Sequence, residues 1–235
     1  MTNTSIVKLS LTNELHDQLL KYSMNGFHIP IISVFLYLLS GDIFLSSMFF
    51  CKMFSYSFYT SFHIFTPYPG FYYWKHMVRL TDSGHIASLI FYFNKDFLPI
   101  AHNVHFIIAS AFWICTFVFD LKSTEEDNYG KEFIVNWAQS FFTFYNHIVP
   151  YLFMIYNLSI RKDVCELFDE NTLLYTYMWC YTWIIFIYIP WVYLTNDYVY
   201  SIFKPTTSWK IKFFVVFFVH ILIYISNNLI PLILC

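Results

Sequence analysis

The run Phe213-Phe214-Val215-Val216-Phe217-Phe218-Val219-His220-Ile221-Leu222-Ile223-Tyr224-Ile225-Ser226-Asn227-Asn228-Leu229-Ile230-Pro231-Leu232-Ile233-Leu234 holds no Asp, Glu, Lys or Arg. Its apolar residues show no period that would leave one helical face polar. A helix that is apolar all round is either buried or set in a membrane. About 20 apolar residues are needed to cross the hydrocarbon core, and this run, at roughly 1.5 Å per residue, is long enough.

The same pattern recurs towards the N-terminus. Five further hydrophobic segments occupy 30–51, 80–94, 98–119, 133–157 and 173–195, and the quoted run completes a sixth at 212–234. The whole chain is 58% hydrophobic and 12% charged, with a mean hydropathy of +0.51. A soluble domain carries about 25% charged residues, so this chain cannot coat a globule with polar groups. The expected fold class is all-α: a polytopic transmembrane helical bundle of about six spans. Residues 1–29 form a polar N-terminal segment, and 30–235 form a single transmembrane domain. No basic stretch followed by an apolar run and a small-residue cleavage site opens the chain, so the first span is expected to direct insertion.

The connectors fit this map. Lys122-Ser123-Thr124-Glu125-Glu126-Asp127-Asn128 and Arg161-Lys162-Asp163 through Asn171 read as solvated loops. Loop 52–75, with Pro67 and Pro69 among many Phe and Tyr, has the composition of a headgroup-level segment. The segment at 80–94 is short, which admits a tilted or re-entrant element. Pro190 is expected to kink the fifth span. With both termini on one side, that side carries Lys8, Lys21, Lys95, Arg161 and Lys162, against eight basic residues on the other. The positive-inside rule then puts the termini outside the cytosol. The sequon Asn3-Thr4-Ser5 would be open to glycosylation there, whereas Asn157-Leu158-Ser159 lies at a span end.

Net charge is −2, and nothing forms a nucleic-acid footprint. Cys51, Cys115, Cys165, Cys180 and Cys235 show no metal spacing and read as isolated buried thiols; Cys235 lacks the residues of a prenylation box. No GxSxG elbow, HExxH helix or phosphate loop is present.

Polar groups at membrane depth are costly and point to function. Asp42 falls near the middle of the first segment, so it is expected to face the bundle or a wet interface. Thr81-Asp82-Ser83-Gly84-His85 opens the second segment, with Thr81 and His85 one turn apart on one face. The plain reading of this cluster is a capped helix start. Asn146-His147 lies just before Pro150 in the fourth segment, where it is either a packing hydrogen-bond partner or a general base. His102 and His105 share a face of the third segment. Together with His147 or His220 they raise a haem, quinone or metal site as a third reading, although no metal or other cofactor is expected.

The order of local features resembles one family. Trp74-Lys75 precedes Leu80-Thr81; a span ends at Phe112-Trp113 and is followed by Asp120; Asn146-His147 precedes a proline. Then Trp191-Val192-Tyr193 leads to Thr195-Asn196-Asp197-Tyr198-Val199-Tyr200. Over residues 74–230 this resembles the androgen-induced protein and androgen-dependent TFPI-regulating protein family of six-span membrane threonine hydrolases. Three extra residues separate Trp74-Lys75 from Leu80-Thr81, and the family's second His before the proline is absent.

The resemblance implies an intramembrane esterase. Its substrate would be fatty acid esters of hydroxy fatty acids drawn from the bilayer, its nucleophile Thr81 and its base His147. Those two side chains are then expected within hydrogen-bond reach of each other. The implied partners are membrane lipids, and the implied location is the endoplasmic reticulum. The rival reading is a non-enzymatic accessory or structural subunit of a larger membrane complex, for example a respiratory assembly in the mitochondrial inner membrane.

Overall fold

The computed structural model describes residues 78–117 and 133–235, with scattered positions between 35 and 48. Regular structure among the described residues is helical throughout. Helix α1 runs Leu80–Phe93, α2 Leu98–Phe117, α3 Phe133–Ser159 and α4 Glu170–Trp183. A π turn at Ile184–Tyr188 joins α4 to α5 (Ile189–Thr195), and α6 runs Trp209–Leu234. Among the described residues, three helical stretches are long and apolar enough to cross a membrane: Lys95–Ile114, Glu170–Thr195 and Trp209–Leu234. Helix α3, with 27 residues, is roughly 40 Å long by its rise. Helix α1, with 14 residues, reaches only about 21 Å, short of the ~30 Å hydrocarbon core.

Local chemistry sets the boundaries. The Asn94 side chain accepts from Asp96 N at 3.1 Å, which starts the 3₁₀ turn Lys95–Phe97 that reverses the chain from α1 into α2. The Asp169 carboxylate accepts from Thr172 N at 2.7 Å and caps α4. Bonds from Thr172 N–H and the Asn171 side chain hold that carboxyl below its ordinary range, because they favour the charged form. Ser208 caps α6 through Lys210 N. Pro190 has no N–H to give the Phe186 carbonyl, and the expected disturbance takes the form of the wider π turn just before it. Asn196, in the left-handed region at φ 57°, closes α5.

Helix α2 is the centre of the bundle and packs against α1, α3, α4 and α6. Its Ala101, Val104 and Ile107 are fully buried. Helix α1 approaches it closely at Gly84, where a Cβ would stand 2.5 Å from Ile108 Cδ1 and 2.9 Å from His105 Cε1. A polar network threads the same core. Asn103 Nδ2 donates to Thr176 Oγ1 at 3.1 Å and to Asn227 Oδ1 at 3.0 Å, and Asn227 Nδ2 donates to the Asp169 carbonyl at 3.2 Å. These bonds tie α2, α4 and α6 together, with Asn103 and Thr176 fully buried. The outward surfaces of α4, α5 and α6 are apolar, with Phe186, Tyr193, Phe213, Phe217 and Leu232 exposed. Apolar surface on this scale marks an interaction face, and on helices this long it is compatible with contact to a lipid bilayer.

The structure corrects two expectations. The segment 30–51 is not one uninterrupted span with Asp42 at its centre. Gly41, at φ +63°, and Asp42 are non-helical between helical positions at 38–39 and at 43 and 45–48. Asp42 Oδ1 accepts from Leu45 N at 3.0 Å, so the carboxylate caps a new helix start. It lines a groove of about 540 Å³ with Tyr92, Lys95 and Asn157, at the end of the bundle that holds the α1–α2 turn. Asp42 is partly exposed in that groove. Leu45 and Met48 then run into the core beside Ala87 and Phe153.

The second correction concerns the cysteines. Cys165 and Cys235 are not isolated thiols: they form a disulfide across 70 residues. Cys180 is free and buried, while Cys51 and the Cys115 side chain lie outside the described residues, as do residues 1–29, loop 52–75 and loop 122–128. The disulfide sits on the rim with the α1–α2 turn, where Arg161 donates to the Lys95 carbonyl at 3.1 Å and pairs with Asp163. The same guanidinium holds the Asp163 carboxyl below its ordinary range.

Candidate active site

Thr81 stands in the first turn of α1, and His147 lies in α3 about three turns from its C-terminal end. Thr81 Oγ1 and His147 Nε2 are 3.3 Å apart, across 66 residues of chain. In the tautomer with its proton on Nδ1, His147 Nε2 accepts from the threonine hydroxyl, the geometry of a nucleophile and its base. Thr81 is buried, at 7% exposure, while His147 is half-buried. The hydroxyl is therefore largely shielded, whereas His147 is partly exposed.

Three elements converge to place these groups. Gly84 lets α1 sit against α2, which fixes the start of α1 relative to the bundle. On α2, the Phe112 ring stacks on His147 with centroids 3.8 Å apart and planes inclined by 20°. Trp113 meets Phe112 edge-on at 5.2 Å. At the other end of the site, Leu80 N donates to Tyr200 Oη at 3.0 Å. Tyr200 belongs to the segment after α5, which packs Val199 against Val78, Trp183 and Tyr188. The phenol satisfies one of the N–H groups that every helix start leaves open, and it anchors α1 one residue before Thr81.

The other sequence candidates fall elsewhere. Asp82 and His85 are buried with Thr81, and the His85 ring faces His105 edge-on at 6.0 Å. His105 Nε2 lies 2.7 Å from Ser88 Oγ, and both are fully buried. His102 Nδ1 lies 3.1 Å from Asn103 Oδ1. His220 Nε2 lies 2.7 Å from Tyr181 Oη, on the outside of α6. Among the described residues no three His, Cys, Asp or Glu side chains converge as a metal site would require. His102, His105 and His220 thus meet Asn103, Ser88 and Tyr181, and His147 is the histidine that meets Thr81. Asn146 is buried, and its Oδ1 has no partner among the described residues.

Neither Phe112 nor Tyr200 stands out as a site residue in the sequence. With 24% of residues aromatic, no single ring carries a signal. Asn103 could have been singled out, as an amide in an otherwise apolar stretch.

No protein-family model matches the chain, and neither the curated proteins nor the solved structures searched contain a match.

Proposed function

We propose that this protein is an intramembrane lipid esterase in which Thr81 is the nucleophile and His147 the base. The observation that carries the reading is the 3.3 Å approach of Thr81 Oγ1 to His147 Nε2, made between two helices inside an apolar bundle. A threonine hydroxyl is a weak nucleophile until a neighbouring base takes its proton. As Thr81 Oγ1 attacks an ester carbonyl carbon, its proton passes to His147 Nε2. The tetrahedral intermediate collapses, the C–O bond to the alcohol breaks, and the imidazolium returns the proton to the departing oxygen. His147 then deprotonates a water that attacks the acyl-threonine, releasing the acid and restoring the hydroxyl.

The substrate class we infer is fatty acid esters of hydroxy fatty acids, after the family that the sequence resembles. Such esters reside in the bilayer, and the partial exposure of His147 supports their entry from outside the bundle. The six-span count belongs to the same proposal. Location in the endoplasmic reticulum has independent support. The Cys165–Cys235 disulfide lies exposed at the rim, and disulfides persist where the environment is oxidising. The lower count of basic residues assigns that same rim to the non-cytosolic side.

The test is hydrolysis of a fatty acid ester of a hydroxy fatty acid by purified protein in detergent, followed by peptide mass analysis. The expected result is free hydroxy fatty acid and an acyl adduct on the Thr81 peptide, both absent in Thr81→Ala. Protein that stays folded and hydrolyses nothing, while co-purifying with fixed partners, would favour an accessory subunit instead.

A further inference from the structure

We propose that His102 Nε2 is a buried acceptor site that holds one ordered water, bridged to the hydroxyl of Tyr151. The hydrogens of the network joining α2, α4 and α6 have one consistent arrangement. Thr176 Oγ1 carries a single hydrogen and donates it to the Thr172 carbonyl at 2.8 Å. What remains on that oxygen is lone pairs, so the Asn103 atom that meets it at 3.1 Å is the NH2 nitrogen. Asn227 imposes the same orientation independently. Its Nδ2 donates to the Asp169 carbonyl at 3.2 Å, which leaves Oδ1 facing the Asn103 nitrogen at 3.0 Å. Asn103 Oδ1 therefore faces His102 Nδ1, at 3.1 Å. An amide oxygen only accepts, so His102 Nδ1 carries a proton. The ring is fully buried and has no carboxylate partner among the described residues, so it is neutral. Its Nε2 is then an unprotonated lone pair.

That lone pair lies inside the bundle. His102 is 0% exposed, and its Nε2 has no hydrogen-bond partner among the described residues. The rings around it are Phe106, Tyr151 and Phe168, with centroids 6.5, 5.5 and 5.5 Å away. Of the three, only Tyr151 has a hydrogen-bonding group. Its hydroxyl also bonds no group among the described residues. A donor and an acceptor thus stand on neighbouring rings without bonding each other. One water answers both, accepting from Tyr151 Oη–H and donating to His102 Nε2, as buried waters do for polar groups otherwise unmatched in a core. A metal ion would need further ligands, and no such group converges among the described residues. Tyr151 follows His147 by four residues in α3, so the site lies about one turn along the same helix face. The water site stands independently of the esterase reading.

The test is NMR on the full chain in detergent micelles, with carbonyl-13C alanine and 13C,15N histidine. Ala101-His102 is the only Ala–His pair in the sequence, so this labelling singles out His102 without a variant. The expected spectrum has the proton on Nδ1, Nε2 at the shift of a hydrogen-bonded acceptor, and magnetisation transfer from water to the ring. In Tyr151→Phe the water transfer is lost and Nε2 moves towards the shift of an unbonded nitrogen, while Nδ1 stays where it was. A proton on Nε2 in the wild type would overturn the arrangement of the network. An unbonded Nε2 with no water transfer would remove the water, and a Tyr151→Phe spectrum identical to the wild type would remove the bridge.

Discussion

Replacing Gly84 with alanine should destabilise the protein even though alanine is the better helix former. The new Cβ would stand 2.5 Å from Ile108 Cδ1, 2.9 Å from His105 Cε1 and 3.1 Å from His105 Nδ1. All three fall short of ordinary carbon contact, about 3.5–4.0 Å. Ile108 Cδ1 ends a flexible side chain and can rotate aside. The His105 ring cannot do so freely, because its Nε2 is engaged with Ser88 at 2.7 Å. The remaining relief is for α1 to move off α2 by roughly half an ångström or more. Overpacking of this kind costs about 1–3 kcal/mol, and the helix-propensity gain returns about 1 kcal/mol. A net loss of up to about 2 kcal/mol corresponds to a fall of up to about 8 °C in the thermal midpoint for a chain of this size. The same shift stretches the Thr81–His147 bond, which at 3.3 Å is already long, beyond hydrogen-bond reach. The thermal midpoint in detergent and labelling by a fluorophosphonate probe should therefore fall together. Ile108→Val, which removes Cδ1, should restore part of both in the double variant. A Gly84→Ala protein as stable as wild type, with no coupling to Ile108→Val, would refute the close α1–α2 approach.

Other consequences can be checked on the same protein. Asn103→Leu removes the donor to both Thr176 and Asn227, and at about 0.6–1.7 kcal/mol per intramembrane bond it should lower the thermal midpoint by several degrees; Thr176→Val, which removes one acceptor, should lower it less. Cys165→Ser opens a cross-link spanning 70 residues, whose chain-entropy limit is about 4 kcal/mol; the variant should melt earlier and lose the mobility shift that reductant produces in the wild type. A membrane-impermeant thiol reagent added to sealed, cytosol-out vesicles after reduction should leave Cys165 and Cys235 unlabelled, and labelling them there would reverse the orientation. Asp169 has a lowered folded-state pKa, so its contribution is present above the ordinary carboxylate range and fades as pH falls through the folded value. Asp169→Asn, which keeps the cap, should flatten the acid side of a stability–pH curve, and an unchanged curve would show that the cap charge contributes nothing.

Hydropathy alone made the helices after residue 78 legible, because their apolar runs are long and their breaks are strongly polar. Asn94-Lys95-Asp96 and Arg161-Lys162-Asp163 fall between helices as expected. The first segment misled for the same reason. Apolar residues on both sides of Gly41-Asp42 masked a local stop-and-start signal, a glycine with positive φ followed by an aspartate cap, that hydropathy averages away. The disulfide had no signature, since a separation of 70 residues says nothing until the fold brings the α3–α4 loop to the end of α6. The pairing of Thr81 with His147 came from a resemblance and from the cost of polar groups in lipid; their distance is a property of how α1, α2 and α3 pack. The stacking of Phe112 was illegible because the composition is so rich in rings.

The central claim is most directly tested by labelling wild type, Thr81→Ala and His147→Ala with a fluorophosphonate probe in native membranes at matched expression. The account predicts a labelled wild type and two unlabelled variants. An unlabelled wild type, or a Thr81→Ala protein that still labels, would contradict it.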